Sequence, residues 1–252
     1  MQISISRLRS YLQCPMLFRW RYVEHAEPEY TSADMVFGQA IHHAIAECHR
    51  SGSPLTADVM LAHFEDYWQA SMKHMDDLRF RKPQDELVAH AKGMCQAYAT
   101  HFGDVQADEV ELLFEVPLIE PTSGMGSAFH SLTGCIDMIA DGVIYEFKTA
   151  ARSHSQKDAD QSIQLTAYAL AYEYLYGGPA RALRLVTLTK TKTPKVQVLE
   201  TTRRQKDYQL LVDMAEGVID AVESDVFYRN VETLYGCNSC AYHARCFQAV
   251  LA

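Results

Sequence analysis

The sequence predicts an α/β protein, with a mainly helical first half and a mixed sheet in the second. Three observations predict this. Apolar residues recur at helical spacing over about the first hundred positions; short apolar strands bounded by turn residues follow from about residue 107; and an Asp141-Gly142 dipeptide joins two of those strands.

Ser6 is placed to cap a helix running to about Gln13, and Pro15 to open the next at its first turn. Leu17, Phe18, Trp20 and Tyr22 lie in that second piece. Residues 25–35 are polar, contain Pro28 and read as a loop. Val36, Ile41, Ile45 and Cys48 keep helical spacing over 36–51, and Ser51-Gly52-Ser53-Pro54 ends the helix. Helices over about 56–73 and 84–102 follow, the first with a core-facing stripe through Val59, Leu61, Phe64, Tyr67 and Trp68. Glu109–Pro117 and Leu132–Ala140 read as strands. The Asp141-Gly142 turn leads antiparallel into a third, Val143–Phe147. Asp160–Tyr176 is a helix closed by Gly177-Gly178-Pro179, and Ala182–Thr189 and Lys195–Leu199 are strands. A long helix covers 204–226, and the tail from Tyr235 is rich in cysteine. One domain over 1–252, with a helical insertion at about 52–104 and a tail over 235–252, explains this order better than two independent domains.

Composition limits the function. With 252 residues, 48% apolar and 22% charged, the chain is neither disordered, collagen-like nor a disulfide mini-protein. No apolar run approaches the ~18 residues of a membrane span, and Met1–Arg7 holds no signal-like apolar core, so a cytoplasmic protein without membrane partners is expected. Seven cysteines, an odd number, do not suit full disulfide pairing there. A net charge of −9 argues against a general nucleic-acid coat. Two segments depart from that average. Residues 1–23 carry Arg7, Arg9, Arg19 and Arg21 and no acid; residues 179–206 carry eight Lys/Arg against Glu200 alone. Acid collects from Asp104 to Glu120. A basic face and ordinary solvated charge both fit these counts.

The hairpin carries the first chemical signal. Side chains two apart on a strand share a face, so Glu146 and Lys148 project together while Tyr145 and Phe147 turn into a core. The tight turn brings Asp137 toward Glu146. Two carboxylates and an ammonium among apolar strand residues are costly to desolvate, a cost that a bound cation offsets. Oxygen ligands of this kind suit Mg²⁺. A cross-strand salt bridge on a solvent face is the plainer alternative.

At these residues the chain resembles the PD-(D/E)XK nuclease superfamily, in its RecB-like branch, which includes helicase–nuclease nuclease domains and CRISPR-associated adaptation nucleases. The resemblance spans nearly the whole chain. Ser4-Ile5-Ser6-Arg7-Leu8 with Tyr11-Leu12-Gln13-Cys14-Pro15 resembles the opening signature. Gly38-Gln39-Ala40-Ile41-His42 is similar to Gly-x-x-x-His, Gly134-Cys135-Ile136-Asp137 to Gly-x-x-Asp, Glu146-Phe147-Lys148 to (D/E)-x-K, and Gln164-Leu165-Thr166-Ala167-Tyr168 to Gln-x-x-x-Tyr. The resemblance implies a restriction-endonuclease-like core: a mixed central sheet flanked by helices. It implies that His42, Asp137, Glu146 and the Phe147 carbonyl bind Mg²⁺ or Mn²⁺. Lys148 would position or help deprotonate the attacking water. Gln164, one helical turn from Tyr168, would contact substrate or hold Lys148, while Tyr168 mostly packs. His43 points about 100° from His42 on a helix, so both cannot serve one ion; the family register selects His42.

Cys237, Cys240 and Cys246 fall within ten residues, and Cys14 precedes Pro15. Structural zinc and a cubane iron–sulfur cluster each take four ligands. Cys48, Cys95 and Cys135 lie in apolar contexts and read as core, which leaves Cys14, Cys237, Cys240 and Cys246 as a set of four. That pattern resembles iron–sulfur members of the RecB-like branch and implies a [4Fe-4S] cluster joining the termini, with zinc the runner-up.

The implied activity is metal-dependent DNA hydrolysis, exonucleolytic on single-stranded ends, in recombination, repair, phage or CRISPR-related processing. The basic segments are candidates to track phosphates, and Tyr11, Trp20, Tyr22 and Tyr242 to stack on bases. The chain lacks a phosphate-binding Gly-rich loop, so a helicase or recombination partner would be a separate protein. A non-catalytic DNA-binding or scaffold subunit with a degenerate nuclease fold is the alternative; the intact Asp137, Glu146 and Lys148 argue against it. A sequence-specific endonuclease ranks below both, because no added recognition domain is evident.

Overall fold

The computed structural model describes residues 1–52, 54–75, 77–232 and 236–248; Tyr235 and residues 249–252 of the expected tail lie outside the described residues. In chain order the elements are β1 (Gln2–Ser4), α1 (Ile5–Gln13), α2 (Pro15–Phe18) running into a π-helical turn (Arg19–Val23), β2 (Thr31–Ser32), α3 (Ala33–Arg50), α4 (Ala57–His74), β3 (Leu78–Arg79), α5 (Gln84–Phe102), β4 (Glu109–Ile119), β5 (Gly126–Ala140), β6 (Val143–Ala150), α6 (Gln156–Asp160), α7 (Ile163–Tyr176), β7 (Ala182–Thr189), β8 (Val196–Thr201), α8 (Gln205–Glu223), a 3₁₀ turn (Cys237–Ser239) and α9 (His243–Gln248). The chain divides into two compact units, one of 1–31, 115–134 and 204–252, the other of 32–114 and 135–203. None of the described helices is long and apolar enough to cross a membrane.

The second unit is built on β6. The end of β5 pairs antiparallel with it, Met138 opposite Tyr145, and β7 pairs parallel with it over Val143↔Ala182 to Ala150↔Thr189; β8 then pairs antiparallel with β7. A parallel partner requires a crossover, which α6 and α7 supply. β6 has a strand at each edge and α3 and α7 packed on it, and Val143 to Phe147 are continuously buried, the run expected of an inner strand covered on both faces. The apolar faces of α3, α4 and α5 contribute to the same core: Phe37, Phe64, Trp68 and Tyr98 are within 2% of full burial, with Phe147 at 1%.

In the first unit, β1 lies parallel to β5, Ile3 opposite Leu132. α1 turns Ile5, Leu8 and Tyr11 inward and packs on α8, whose Leu211, Val212, Ala215 and Ile219 are buried. Tyr11 donates to the Val226 carbonyl (2.7 Å).

Several boundaries differ from the sequence reading. Ser4, rather than Ser6, caps α1: it leaves β1 extended and its Oγ accepts from the Arg7 N–H at 3.2 Å. The helix expected over 160–176 is α7, which starts at Ile163, and a short helix not expected, α6, precedes it. Ser155 and Asp158 form a capping box at the start of α6, and Ser162 Oγ accepts from Leu165 N–H to restart α7. Gly177, at φ 74°, ends α7 as its position suggests. β6 runs on to Ala150, past Phe147, because β7 pairs along all of it.

Candidate active site

The site lies in the second unit and starts from the turn. Asp141 and Gly142 have φ of 49° and 68°, the paired positive values of a two-residue type I′ hairpin, so the register is set with no slack. Beyond the Met138–Tyr145 pair the ladder changes. The Phe147 N–H donates not to a strand carbonyl but to Asp137 Oδ2, at 2.8 Å. That bond fixes Asp137 beside β6, on the face that Glu146 and Lys148 share.

Glu146 has no exposed surface. Its Oε1 accepts from Lys148 Nζ, while Oε2 is buried with no partner in hydrogen-bonding geometry among the described residues. The Tyr168 hydroxyl is close enough to interact weakly with this carboxylate but does not satisfy Oε2. Lys148 Nζ also donates to Gln164 Oε1 (2.9 Å), and Gln164 Nε2 donates to the Tyr168 hydroxyl (2.8 Å). Gln164 and Tyr168 are one turn apart on α7, so the helix holds the lysine through a two-residue brace. On the other side, His42 Nδ1 of α3 lies 3.5 Å from Asp137 Oδ1. Gly38 permits that approach: a Cβ there would sit 3.3 Å from Thr149 Oγ1, closer than ordinary contact.

The electrostatics follow from burial. Burial, with the Asp137 charge beside it, pushes the Glu146 carboxyl up to about 7. Burial acts to raise Asp137 as well, but the His42 hydrogen bond, the His42 charge and the Phe147 N–H outweigh it and hold Asp137 below its ordinary value. Burial acts to lower His42, and is outweighed by its bond to Asp137 and the charges of Asp137 and Glu146, so His42 is raised. Burial, followed by the Glu146 charge, keeps the Tyr168 hydroxyl neutral across the working pH range.

The structure thus brings His42, Asp137, Glu146, Lys148, Gln164 and Tyr168 into one connected cluster. Among the described residues, no three His, Cys, Asp or Glu side chains stand as a ready metal cage. The donor set nevertheless fits a hard divalent cation: a carboxylate oxygen left unsatisfied in a buried site is costly, and a cation beside it removes the cost.

The four expected thiols lie in the first unit and are all half-buried and free. Cys14 Sγ accepts from Asn230 N–H at 3.5 Å. Burial pushes the Cys240 thiol up, against the lowering Tyr242 backbone hydrogen bond and with the further help of the Cys14, Cys246 and Cys237 charges. Of the other three, Cys48 and Cys95 are core, as expected. Cys135 is only half-buried, because it shares a strand face with Asp137 and so lies on the site side of β5.

Two other expectations are corrected. Tyr11 and Tyr242 are buried at 7% and 6% exposure and present no face for stacking. Four of the eight cations in 179–206 are engaged: Arg181 pairs with Asp141, Arg184 with Glu200 and Lys190 with Asp34, while Arg203 donates to the Ala159 and Ser162 carbonyls. The sequence reading also missed a cavity beside His42, lined by Met35, Gln39, His43 and Tyr67 among others. The i, i+4, i+8 spacing of Met35, Gln39 and His43 was the available signal.

A mixed sheet with a two-residue hairpin, an acid on each arm and a helical crossover defines a restriction-endonuclease-like α/β core. Residues 2–247 match the PD-(D/E)XK nuclease superfamily, and the chain belongs to that superfamily. Its members generally use divalent metals such as Mg²⁺. The fold is similar to that of a crystal structure named "Putative exonuclease" from Eubacterium rectale, with a TM-score of 0.60, 11% identity, and coverage of 97% of this chain and 87% of that one. No curated protein matches the chain.

Proposed function

We propose that the protein is a Mg²⁺- or Mn²⁺-dependent deoxyribonuclease, an exonuclease acting on single-stranded DNA ends. The observation that carries this reading is the buried, unpartnered Glu146 Oε2 within a lysine-bearing hairpin. His42, Asp137, Glu146 and the Phe147 carbonyl would hold the ion. A divalent ion in such a site lowers the pKa of bound water and neutralises charge on the attacked phosphate. Lys148 supplies an ammonium beside the phosphate and orients the attacking water through its donors. Gln164 keeps Lys148 on that face, and Tyr168 keeps Gln164 in place. The exonuclease reading is supported by the similar fold named above; single-strand preference rests on the sequence resemblance. We read the chain as one nuclease domain, which the extent of the family match supports. A cytoplasmic role in recombination, repair, phage or CRISPR-related DNA processing, alongside a separate helicase or recombination protein, accords with this chemistry.

Cys14, Cys237, Cys240 and Cys246 would hold a [4Fe-4S] cluster, with zinc the alternative. That Cys14, Cys237 and Cys246 each act electrostatically on the Cys240 thiol supports it. Protein purified without oxygen should absorb in the visible and contain iron, and Cys240→Ser should lose both. Removing the cluster should expose the segments around Cys14 and Cys237–Cys246 to proteolysis while the hairpin stays protected. A colourless protein holding zinc would select the runner-up.

The activity is tested with Mg²⁺ or Mn²⁺ on linear single-stranded, linear double-stranded and circular DNA. Cleavage of linear single strands alone is expected. Cleavage of circles would replace the exonuclease reading with an endonuclease, and DNA binding without cleavage of any substrate would favour the scaffold.

A further inference from the structure

Beside His42 lies a cavity of about 470 Å³, within the size range of small-ligand sites. Met35, Gln39, His42 and His43 come from one face of α3, and Tyr67 comes from α4. The His43 and Tyr67 rings lie together, with centroids 5.0 Å apart and planes tilted by 36°, and both are only half-buried. Two acids also reach the cavity, and each already has a cation. Asp34 accepts from Lys190 Nζ at 2.6 Å, and Glu111 accepts from Arg50 at 2.5 Å. The lining therefore offers aromatic and amide surface beside acids that are each paired to a cation, suited to a flat, polar-edged ring on an anionic strand.

We propose that this cavity receives the base of a nucleotide next to the cleaved bond, stacked against Tyr67 and His43, with Gln39 at its polar edge. The inference rests on the nuclease reading and deepens it. It gives the helical insertion a role: α4 supplies the stacking wall that α3 alone lacks. Aromatic stacking accepts any base, so the pocket would grip the strand without reading its sequence.

The test uses the full chain, Mn²⁺ and linear single-stranded oligonucleotides in which an abasic site replaces each terminal nucleotide in turn. On intact DNA, Tyr67→Ala should lower kcat/KM about tenfold, mainly through KM, and Tyr67→Phe should behave as wild type. At one abasic position the wild type should lose the same factor and Tyr67→Ala should lose nothing more. Losses that multiply at every position would mean that Tyr67 only supports the fold, and would overturn the proposal. Unchanged kinetics in Tyr67→Ala would do the same. If Tyr67→Ala does not fold, His43→Ala takes its place under the same expectations. Binding without metal separates this inference from the nuclease reading. A 2-aminopurine at the same position should be quenched by wild type and Tyr67→Phe but not by Tyr67→Ala. That result upholds the pocket even if no cleavage occurs; absence of quenching, or of DNA binding, overturns it.

Discussion

Glu120 and Glu146 are both carboxylates with no exposed surface, and they are treated in opposite ways. Glu120, in the loop after β4, accepts from Thr122 N–H at 2.9 Å and from both the backbone and hydroxyl of Ser123. Burial acts to raise it, but the Ser123 and Thr122 donors outweigh burial and bring it down to about 2. Glu146 receives one lysine, keeps one oxygen unsatisfied and rises to about 7. The first acid is a finished structural joint that holds the 120–125 loop. The second is left incomplete among apolar strands, at a cost that the fold does not recover by itself. The difference separates an anchoring carboxylate from one reserved for chemistry, and composition does not reveal it.

The largest expected effect tests which of the two serves catalysis. Lys148→Ala should reduce cleavage about 10³-fold while DNA binding persists, whereas Glu120→Gln should leave turnover per folded molecule within about twofold. An active Lys148→Ala enzyme would break the assignment of the site.

Next comes stability without metal. Glu146 is raised when folded, so the native state loses stability as pH climbs from the ordinary carboxylate value near 4.5 to about 7, and bears the full cost above that. Glu146→Gln should therefore stabilise metal-free protein by about 2 kcal/mol at pH 8 and by little at pH 4, seen in urea melts, while abolishing cleavage. Added Mn²⁺ should raise Tm for wild type and much less for Glu146→Gln. A destabilised Glu146→Gln at pH 8 would mean that Lys148 already satisfies the carboxylate.

Glu120 has the reverse sign and a smaller size. Depressed when folded, it contributes stability that is fully present above about 4.5 and lost as pH falls toward about 2. Its own loop and Gln205 of α8, which donates to Oε2 at 3.4 Å, cover it. Glu120→Gln should cost about 1–2 kcal/mol at pH 7, and the difference should shrink by pH 3 in the same melts. Equal losses at both pH values would point to packing instead of charge.

The hairpin was legible because its code is local. Asp-Gly specifies the turn, alternation specifies the faces, and together they placed Glu146 and Lys148 side by side. Helices α4 and α5 were legible from periodicity to within a residue or two. What escaped depends on distant partners. Glu120 reads as one more surface acid in the run from Asp104, until its own loop returns over it and Gln205 of α8 reaches it. Lys190 and Arg184 read as free cations until folding brings Asp34 and Glu200 to them. Helix α6 and the start of α7 were written in Ser155-x-x-Asp158 and Ser162, short capping signals without an apolar period to announce them.

The type I′ turn also decides which lengths of chain evolution can try. One residue added between Ala140 and Val143 would invert every later side chain of β6, sending Glu146 toward the packed interior and Tyr145 to the face that Asp137 occupies. A tolerance map made by inserting single alanines should therefore show a sharp gap at 141–142, while the surface loop at 151–154 accepts growth.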